Sequence, residues 1–145
     1  KKYFNKLLNV SKHQIIWGGN YFGLPASQGF IIWDKKQPEK FSSAMCEYAW
    51  LSRQKPAKIF RDWVVINGDG KKIHPTQKPA KLYRWLLQNY AEPDDRIFDS
   101  HGGSLSIAIA CYEEDFALDV IELDKDYYND AVKRFEQHIS QTSLF

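Results

Sequence analysis

Two carboxylates and a glycine pair lie close together in one stretch of this chain, residues 96–124. A short apolar run ends at Asp99, Gly102 and Gly103 follow it, and Glu122 lies near the end of a second apolar run. This order predicts a strand, a glycine turn, a helix and a second strand. Glycines let the backbone approach a ligand, and an acid about twenty residues after the turn can accept hydrogen bonds from ribose hydroxyls. The stretch therefore predicts a site for a nucleoside-containing cofactor; the alternative is that the glycines serve the turn alone.

The elements that would position these residues follow from the apolar pattern. Apolar residues at helical spacing predict helices over residues 3–10, 80–90, 105–112 and 127–138, the last with Asp126 as its N-cap. Continuous apolar runs predict strands over residues 14–17, 30–33, 58–60, 64–66, 96–99 and 117–123. The sequence predicts a loop or hairpin tip at residues 67–70 and a loose tail at residues 141–145. Residues 41–51 are mixed and predict a short helical piece around Glu47 and then a strand. Continuous rather than alternating runs are typical of a sheet covered on both faces, so we expect an α/β fold with a doubly wound, mostly parallel sheet flanked by helices.

Length and composition indicate one folded domain. The chain has 145 residues, 43% of them apolar and 26% charged, which is ordinary for a globular protein and does not favour disorder. No apolar run is long enough to span a bilayer, so we expect no membrane association. Cys46 and Cys111 lie in apolar contexts without metal-ligand spacing, which predicts buried, inert thiols in a reducing, cytoplasmic setting.

Charge is distributed unevenly along the chain. Between residues 35 and 72 nine Lys or Arg face four acids, a net charge of about +5, while between residues 92 and 130 twelve acids face two basic residues, a net charge of about −10. A basic middle segment suits a polyanion and an acidic end does not. If nucleic acid binds, the sequence predicts contact with residues 35–72; a merely solvated basic face is the alternative.

The motif H-P-T-Q-K-P at residues 74–79 adds a second, independent feature. With I-F-D-S-H-G-G-S and I-E-L-D after it, this chain resembles the DNA adenine-N6 methyltransferases that use S-adenosylmethionine, in the small permuted kind found in bacteria and phages. The segments S-K-H-Q-I-I-W-G-G-N-Y-F, G-F-I-I-W-D-K and A-K-I-F-R are similar to the strands that follow the catalytic motif in that family. The resemblance covers nearly the whole chain.

The resemblance implies a permuted Rossmann-like methyltransferase domain over residues 1–145. Residues 1–66 would be the remainder of the catalytic half with a basic insert for target recognition, and residues 73–139 would be the cofactor-binding half. Asp99 and the glycine turn would line the amino-acid end of S-adenosylmethionine, Glu122 would hold its ribose hydroxyls, and the loop before the helix at residue 80 would face its carboxylate. The implied cofactor-binding residues are His74, Thr76, Gln77, Lys78, Asp99, His101, Gly102, Gly103, Ser104 and Glu122.

Two positions depart from the family pattern. Leu105 stands where many relatives have a glycine two places after Gly103. The family's catalytic motif, Asp or Asn followed by Pro-Pro-Tyr, is absent, since no two prolines of the chain are adjacent. The permuted order would put that motif just before Lys1. We therefore assign no catalytic residue and expect these 145 residues to methylate nothing unaided.

The function implied is direct methyl transfer from S-adenosylmethionine to adenine N6 in flipped-out bases of double-stranded DNA, as in restriction-modification systems. A cytosine-N4 methyltransferase is the nearest alternative, because that reaction attacks the same kind of exocyclic amine. A degenerate, non-catalytic domain that binds DNA or a protein partner is a second alternative. A dinucleotide-dependent oxidoreductase domain is a third, and H-P-T-Q-K-P argues against it. The oligomeric state stays open, with a homodimer among the options.

Overall fold

The chain divides into two compact units, Lys1–Trp63 and Val64–Phe145, and each is described by itself. The computed structural model describes residues 2–63 and 73–142. The strand predicted at residues 64–66 and the loop predicted at residues 67–70 lie outside the described residues. The single domain expected from the sequence, with halves 1–66 and 73–139, stays a prediction.

The first unit holds one α-helix, a short 3-10 helix (Gly19–Tyr21) and a four-stranded sheet. Its elements are α1 (Lys2–Val10), β1 (Ile15–Trp17), β2 (Phe30–Asp34), β3 (Cys46–Leu51) and β4 (Lys58–Arg61). The sheet order is β1-β3-β2-β4. β3 runs antiparallel to both of its neighbours, and β2 pairs with β4 in parallel.

Within this unit the sheet is mixed, which the continuous apolar runs did not indicate. The chain returns from β2 to β3 through residues 35–45, which contain no helix, and such a connection brings the second strand back antiparallel. The predicted helical piece around Glu47 is wrong, because Glu47 lies in β3 opposite Trp33 of β2. The Glu47 carboxylate also forms an ion pair with the Lys35 ammonium at 2.9 Å. Pairing of β3 with β2 therefore outweighs the helical preference of Glu47.

Two tryptophans fill the core of the first unit. Trp33 is 1% exposed and Trp50 is 7% exposed, and both pack among the buried strand residues. The Trp33 indole N–H donates to the carbonyl of Asp62 at 3.0 Å, and that of Trp50 donates to the carbonyl of Pro25 at 2.8 Å. A buried indole N–H without a partner would cost folding free energy, so these two bonds let the large rings lie inside.

The second unit alternates helices and strands. Its elements are α2 (Ala80–Tyr90), β5 (Arg96–Asp99), α3 (Ser106–Glu113), β6 (Ala117–Val120) and α4 (Lys125–Thr142). β5 and β6 pair in parallel, with Asp99 opposite Val120, and α3 is the helix that connects them. This is the strand–turn–helix–strand order predicted for residues 96–124, although the second strand ends at Val120 rather than at residue 123.

The helix α3 is packed on both sides. Leu87 of α2 contacts Ala110 and Cys111, while Ala131 of α4 belongs to a second buried cluster with Leu105 and Ala108. An apolar helix between two others explains why its sequence shows no polar face.

The two thiols differ in burial. Cys111 is 2% exposed, and burial raises the pKa of its thiol to about 12, as expected for an inert core cysteine. The same prediction is wrong for Cys46, which is exposed at the first position of β3, because the loop before it leaves that end of the strand uncovered.

The helix α4 begins and ends differently from the prediction. Its N-terminal N–H groups, those of Asp126 and Tyr127, donate to the Asp124 carboxylate at 2.9 and 3.0 Å. Asp124 is therefore the cap, and Asp126 lies inside the first turn. The helix continues to Thr142, so the loose tail predicted from residue 141 is wrong at its first two positions. In the part of the chain that the structure describes, no helix is both long and apolar enough to cross a membrane.

Leu105 holds an unusual backbone conformation at the start of α3. Its φ angle is +55° and its ψ angle is 28°, in the left-handed region that disfavours residues with a Cβ atom. The side chain is only 5% exposed and belongs to the buried cluster with Ala108 and Ala131. Burial of the leucine thus offsets the backbone strain, and a glycine is not required at this position for the turn to form.

Replacing Leu105 separates these two effects. Leu105→Ala keeps the strained backbone and loses the buried side chain, so we expect the free energy of unfolding to fall by about 2–4 kcal/mol. Leu105→Gly loses the same packing but relieves the strain, so it should be more stable than Leu105→Ala by about 1 kcal/mol. Urea denaturation of the two variants measures this difference. An alanine variant at least as stable as the glycine variant would contradict the left-handed conformation.

Candidate functional site

The carboxyl ends of β5 and β6 form one edge of the parallel pair. Asp99 is the last residue of β5, and Glu122 lies two residues beyond the end of β6. The Ile121 N–H donates to the carbonyl of Asp99 at 2.9 Å, and the Gly102 N–H donates to the carbonyl of Ile121 at 2.8 Å. These bonds hold the glycine turn against the segment after β6. Ligands of open α/β sheets bind at this edge.

Both glycines of the turn are needed for different reasons. A Cβ atom on Gly102 would lie 2.6 Å from a methyl carbon of Val120, so a side chain fits there only if Val120 shifts. Gly103 has a φ angle of +53°, which glycine adopts at little cost. The side of its Cα atom that would carry a side chain faces the His74 ring. The turn therefore brings bare backbone to the edge of the sheet.

Glu122 is fixed by two backbone donors. One carboxylate oxygen accepts the Gly103 N–H at 2.8 Å, and the other accepts the Asp124 N–H at 2.9 Å. The pKa of Glu122 is lowered, first by the bond from Asp124 and then by the bond from Gly103 and the nearby His74, with some opposition from burial. Each oxygen keeps a further lone pair, so Glu122 is an oriented anion with acceptor capacity to spare.

Asp99 has the opposite electrostatic character. Burial raises the pKa of this carboxyl above its ordinary value, and the charge of Glu122 acts in the same direction. The backbone N–H of His101, which donates to Asp99 at 2.9 Å, opposes that shift, as do the charges of His101 and Lys78. A carboxylate that is costly to ionise, next to a second carboxylate, suits a ligand with a positive group.

The loop before α2 approaches the glycine turn through His74. The ring atoms of His74 lie 3.8 Å from the point where a Cβ of Gly103 would stand. The Thr76 N–H donates to His74 Nδ1 at 3.2 Å, and the Thr76 hydroxyl lies 3.1 Å from the same nitrogen. The Gln77 side chain is 5% exposed and accepts the N–H of Ile73 at 2.9 Å, so it holds the loop together.

The predicted site residues are thus not equivalent. His74, Gly103 and Glu122 lie together. Gly102 belongs to the turn between the two strands. Lys78 lies close enough to Asp99 for its charge to lower the pKa of that carboxyl. His101 is exposed, with its ring nitrogen 2.9 Å from the Ser100 hydroxyl. Ser104 is 5% exposed with its hydroxyl 3.1 Å from that of Ser106, so its side chain supports the start of α3. Whether each contacts a ligand stays a prediction.

Three residues that stabilise this edge were missed from the sequence. The Tyr127 ring lies edge-on to the His74 ring with 4.4 Å between centroids. Asp124 joins Glu122 to α4, and Arg134 donates to the Ser104 carbonyl at 2.8 Å. An Asp directly before a helical pattern is an N-cap signal that could have identified Asp124. Nothing in the spacing indicates the other two contacts, which depend on how α4 packs.

The family is decided by the match to known sequences. The N6/N4 methyltransferase family, described as DNA methylase, matches residues 31–133. The chain belongs to this DNA methylase family. Membership of a DNA amino-methyltransferase family, predicted from H-P-T-Q-K-P and the glycine turn, is confirmed, and the choice of adenine N6 over cytosine N4 stays a prediction.

Relatives and solved structures agree with this membership. This DNA methylase chain is 30% identical over 76 residues to the type II methyltransferase M.PvuII of Proteus hauseri, a match over 52% of this chain and 23% of that protein. It is 26% identical to the M1.HpyAVI–SAM complex, with a TM-score of 0.53 over 72% of this chain and 60% of the other. The PvuII cytosine-N4-specific DNA methyltransferase is 16% identical, with a TM-score of 0.57 over 78% of this chain and 55% of the other.

These likenesses confirm the predicted Rossmann-like α/β methyltransferase fold. The chain spans less than two thirds of the length of each of these three proteins. TTHA0409 of Thermus thermophilus, solved as a complex with S-adenosyl-L-methionine, shares the fold at 20% identity and a TM-score of 0.51, over 76% of this chain and 53% of the other.

The raised pKa of Asp99 has a consequence for the stability of this DNA methylase chain. The folded state binds the Asp99 proton more tightly than the unfolded state does. The protonated Asp99 carboxyl therefore contributes to the free energy of unfolding at low pH, and this contribution is lost as the pH rises through the folded pKa. Asp99→Asn keeps an acceptor for the His101 N–H and removes the charge. We expect it to raise the free energy of unfolding at about pH 7 and to have little effect near pH 4, where aspartates titrate.

Urea denaturation at both pH values tests this expectation. Asp119→Asn is the matched control, because hydrogen bonds from Arg96 lower the pKa of Asp119 and removing that charge should lower stability at neutral pH. Both carboxylates belong to the same pair of strands, and the shifts of their pKa values have opposite signs. A loss of stability at neutral pH in both variants would contradict the account of Asp99.

Proposed function

We propose that this chain binds S-adenosylmethionine at the carboxyl edge of β5 and β6, as the cofactor-binding part of an enzyme that methylates an exocyclic amine in DNA. The observation that carries the proposal is the Glu122 carboxylate, held by the Gly103 and Asp124 N–H groups with acceptor capacity left on both oxygens. Two adjacent ribose hydroxyls match a carboxylate whose oxygens are both oriented.

The other end of the cofactor fits the residues around Asp99. S-adenosylmethionine carries an ammonium group and a carboxylate, and its sulfonium supplies the methyl group that is transferred. Asp99 would accept hydrogen bonds from the ammonium group, which would offset the cost of its burial. Lys78 and the start of α2 would attract the carboxylate, because Lys78 is positively charged and a helix N-terminus is positively polarised. Gly103, which has no side chain, would leave room for the part of the cofactor between these two ends.

Contact with DNA is proposed for the basic segment, residues 35–72. Lys36 and Lys40 are exposed on the loop between β2 and β3, where their charges are open to phosphates. Lys35 and Arg61 contribute less than the sequence count suggests, because Lys35 pairs with Glu47 and Arg61 pairs with Asp34. The loop would orient the duplex without specifying its sequence.

Adenine N6 is our proposed target, on the resemblance carried by residues 74–79. Cytosine N4 is the second candidate, because the PvuII enzyme that shares this fold is cytosine-N4-specific. Since the chain has no adjacent prolines, we expect methylation only when the Asp/Asn-Pro-Pro-Tyr segment is also supplied. Nucleoside analysis of DNA from such a reaction distinguishes N6-methyladenine from N4-methylcytosine.

Cofactor binding can be measured on the 145-residue chain itself. Isothermal titration calorimetry should show binding of S-adenosylmethionine and none of NAD. Glu122→Ala should weaken that binding by about 1–3 kcal/mol, because the ribose hydroxyls lose their acceptor.

Glu136→Ala provides the control, since Glu136 is an exposed acid on α4 away from the strand ends. It should bind as tightly as the unaltered chain. Binding of NAD in place of S-adenosylmethionine would overturn the proposal, and equal affinity of the Glu122→Ala variant would remove Glu122 from the site.

A further inference from the structure

The start of α4 is joined to the acid that follows β6. The Asp124 N–H donates to one Glu122 oxygen at 2.9 Å, while the Asp124 side chain accepts the N–H groups of Asp126 and Tyr127. The same residue therefore caps the helix and orients the carboxylate. Any shift of the first turn of α4 would be transmitted to Glu122.

Tyr127 extends this connection to the loop before α2. Its half-buried ring lies edge-on to the His74 ring, with centroids 4.4 Å apart and an interplanar angle of 61°. An edge-to-face arrangement at this distance is attractive and directional. Tyr128, the next residue, has 48% of its surface exposed. Of these two adjacent tyrosines, Tyr127 is the one that meets the His74 ring.

The His74 ring is therefore held by two contacts. Thr76 donates its N–H to Nδ1 from within the loop, and Tyr127 packs against the ring from α4. The ring faces Gly103, where an added Cβ atom would stand 3.8 Å from it. Because Gly103 has no side chain, it leaves the space between the turn and the His74 ring open. The ring also lies near enough to Glu122 to help lower the pKa of that carboxyl, so His74 borders the space in front of both the glycine turn and the acid.

We propose that Tyr127 is a positioning residue of the site: it fixes the His74 ring beside Glu122 and in front of Gly103, so that the ring borders the space that the ligand enters. The inference rests on the proposed function, because the ligand is the S-adenosylmethionine proposed above. Tyr127 acts through His74 and touches no reacting atom.

A purely structural role for Tyr127 makes a different prediction. If the ring only fills space beside α4, its removal should lower thermal stability while the affinity of the folded protein stays the same. If it positions His74, its removal should weaken ligand binding and change the environment of the His74 ring. These two quantities can be measured separately.

The test compares Tyr127→Ala, Tyr127→Phe and the matched control Tyr128→Ala in the full chain. Calorimetry gives the dissociation constant for S-adenosylmethionine, and NMR gives the shifts of the His74 ring protons in the absence of ligand. Tyr127→Ala should raise the dissociation constant about 3- to 10-fold, the range that corresponds to an edge-to-face ring contact. Its His74 ring protons should lose the ring-current shift caused by the tyrosine.

Tyr127→Phe keeps the ring and should restore both the affinity and the shifts, whereas Tyr128→Ala should change neither. Unchanged affinity in a folded Tyr127→Ala variant would overturn the inference. Failure of the unaltered chain to bind S-adenosylmethionine would instead overturn the proposed function. The His74 shifts would then still report whether Tyr127 fixes the ring.

Discussion

The site depends on one hydrogen bond that crosses between two connections of the fold, from the Gly103 N–H to the Glu122 carboxylate. It joins the turn after β5 to the segment after β6, which the parallel pairing of those strands brings to the same edge. It requires a residue without a side chain at 102 and a left-handed backbone at 103. It also requires an anion at 122, whose charge the neighbouring N–H groups stabilise. The rest of the second unit keeps these two segments at hydrogen-bonding distance.

Several groups at this edge are arranged at a cost to stability. Asp99 is a carboxylate whose burial disfavours its charge, and Leu105 holds a backbone conformation that its Cβ atom disfavours. Strained backbone and carboxylates with shifted pKa values cluster at functional sites. They persist there only when the surrounding core stabilises them. Here the packing of α3 between α2 and α4 supplies that support, since Leu105 and Cys111 anchor the helix on both sides.

The elements of the second unit followed from the sequence because local and tertiary preferences agree there. The helix at residues 80–90 and the strand at residues 96–99 were predicted with their observed bounds, as apolar periodicity and the turn between them point the same way.

Glu47 was misassigned because pairing with β2 outweighs a helical propensity. Asp124 was passed over for Asp126 because both are acids near the same helix start, and only the geometry distinguishes a cap from a first-turn residue. The contact of Tyr127 with His74 joins residues far apart in the chain, and no local pattern encodes it.

The unequal burial of the two cysteines has a practical meaning for work on this protein in solution. Thiolates, not thiols, react with alkylating reagents, and a thiol with a pKa of about 12 is almost entirely protonated at neutral pH. Cys111 is therefore chemically silent while the core is intact, and the exposed Cys46 is the natural attachment point for a probe. A label there would stand on β3, in the first unit, and would leave Asp99, Gly103 and Glu122 of the second unit unmodified. Reaction of a second thiol would signal that the core around α3 had opened.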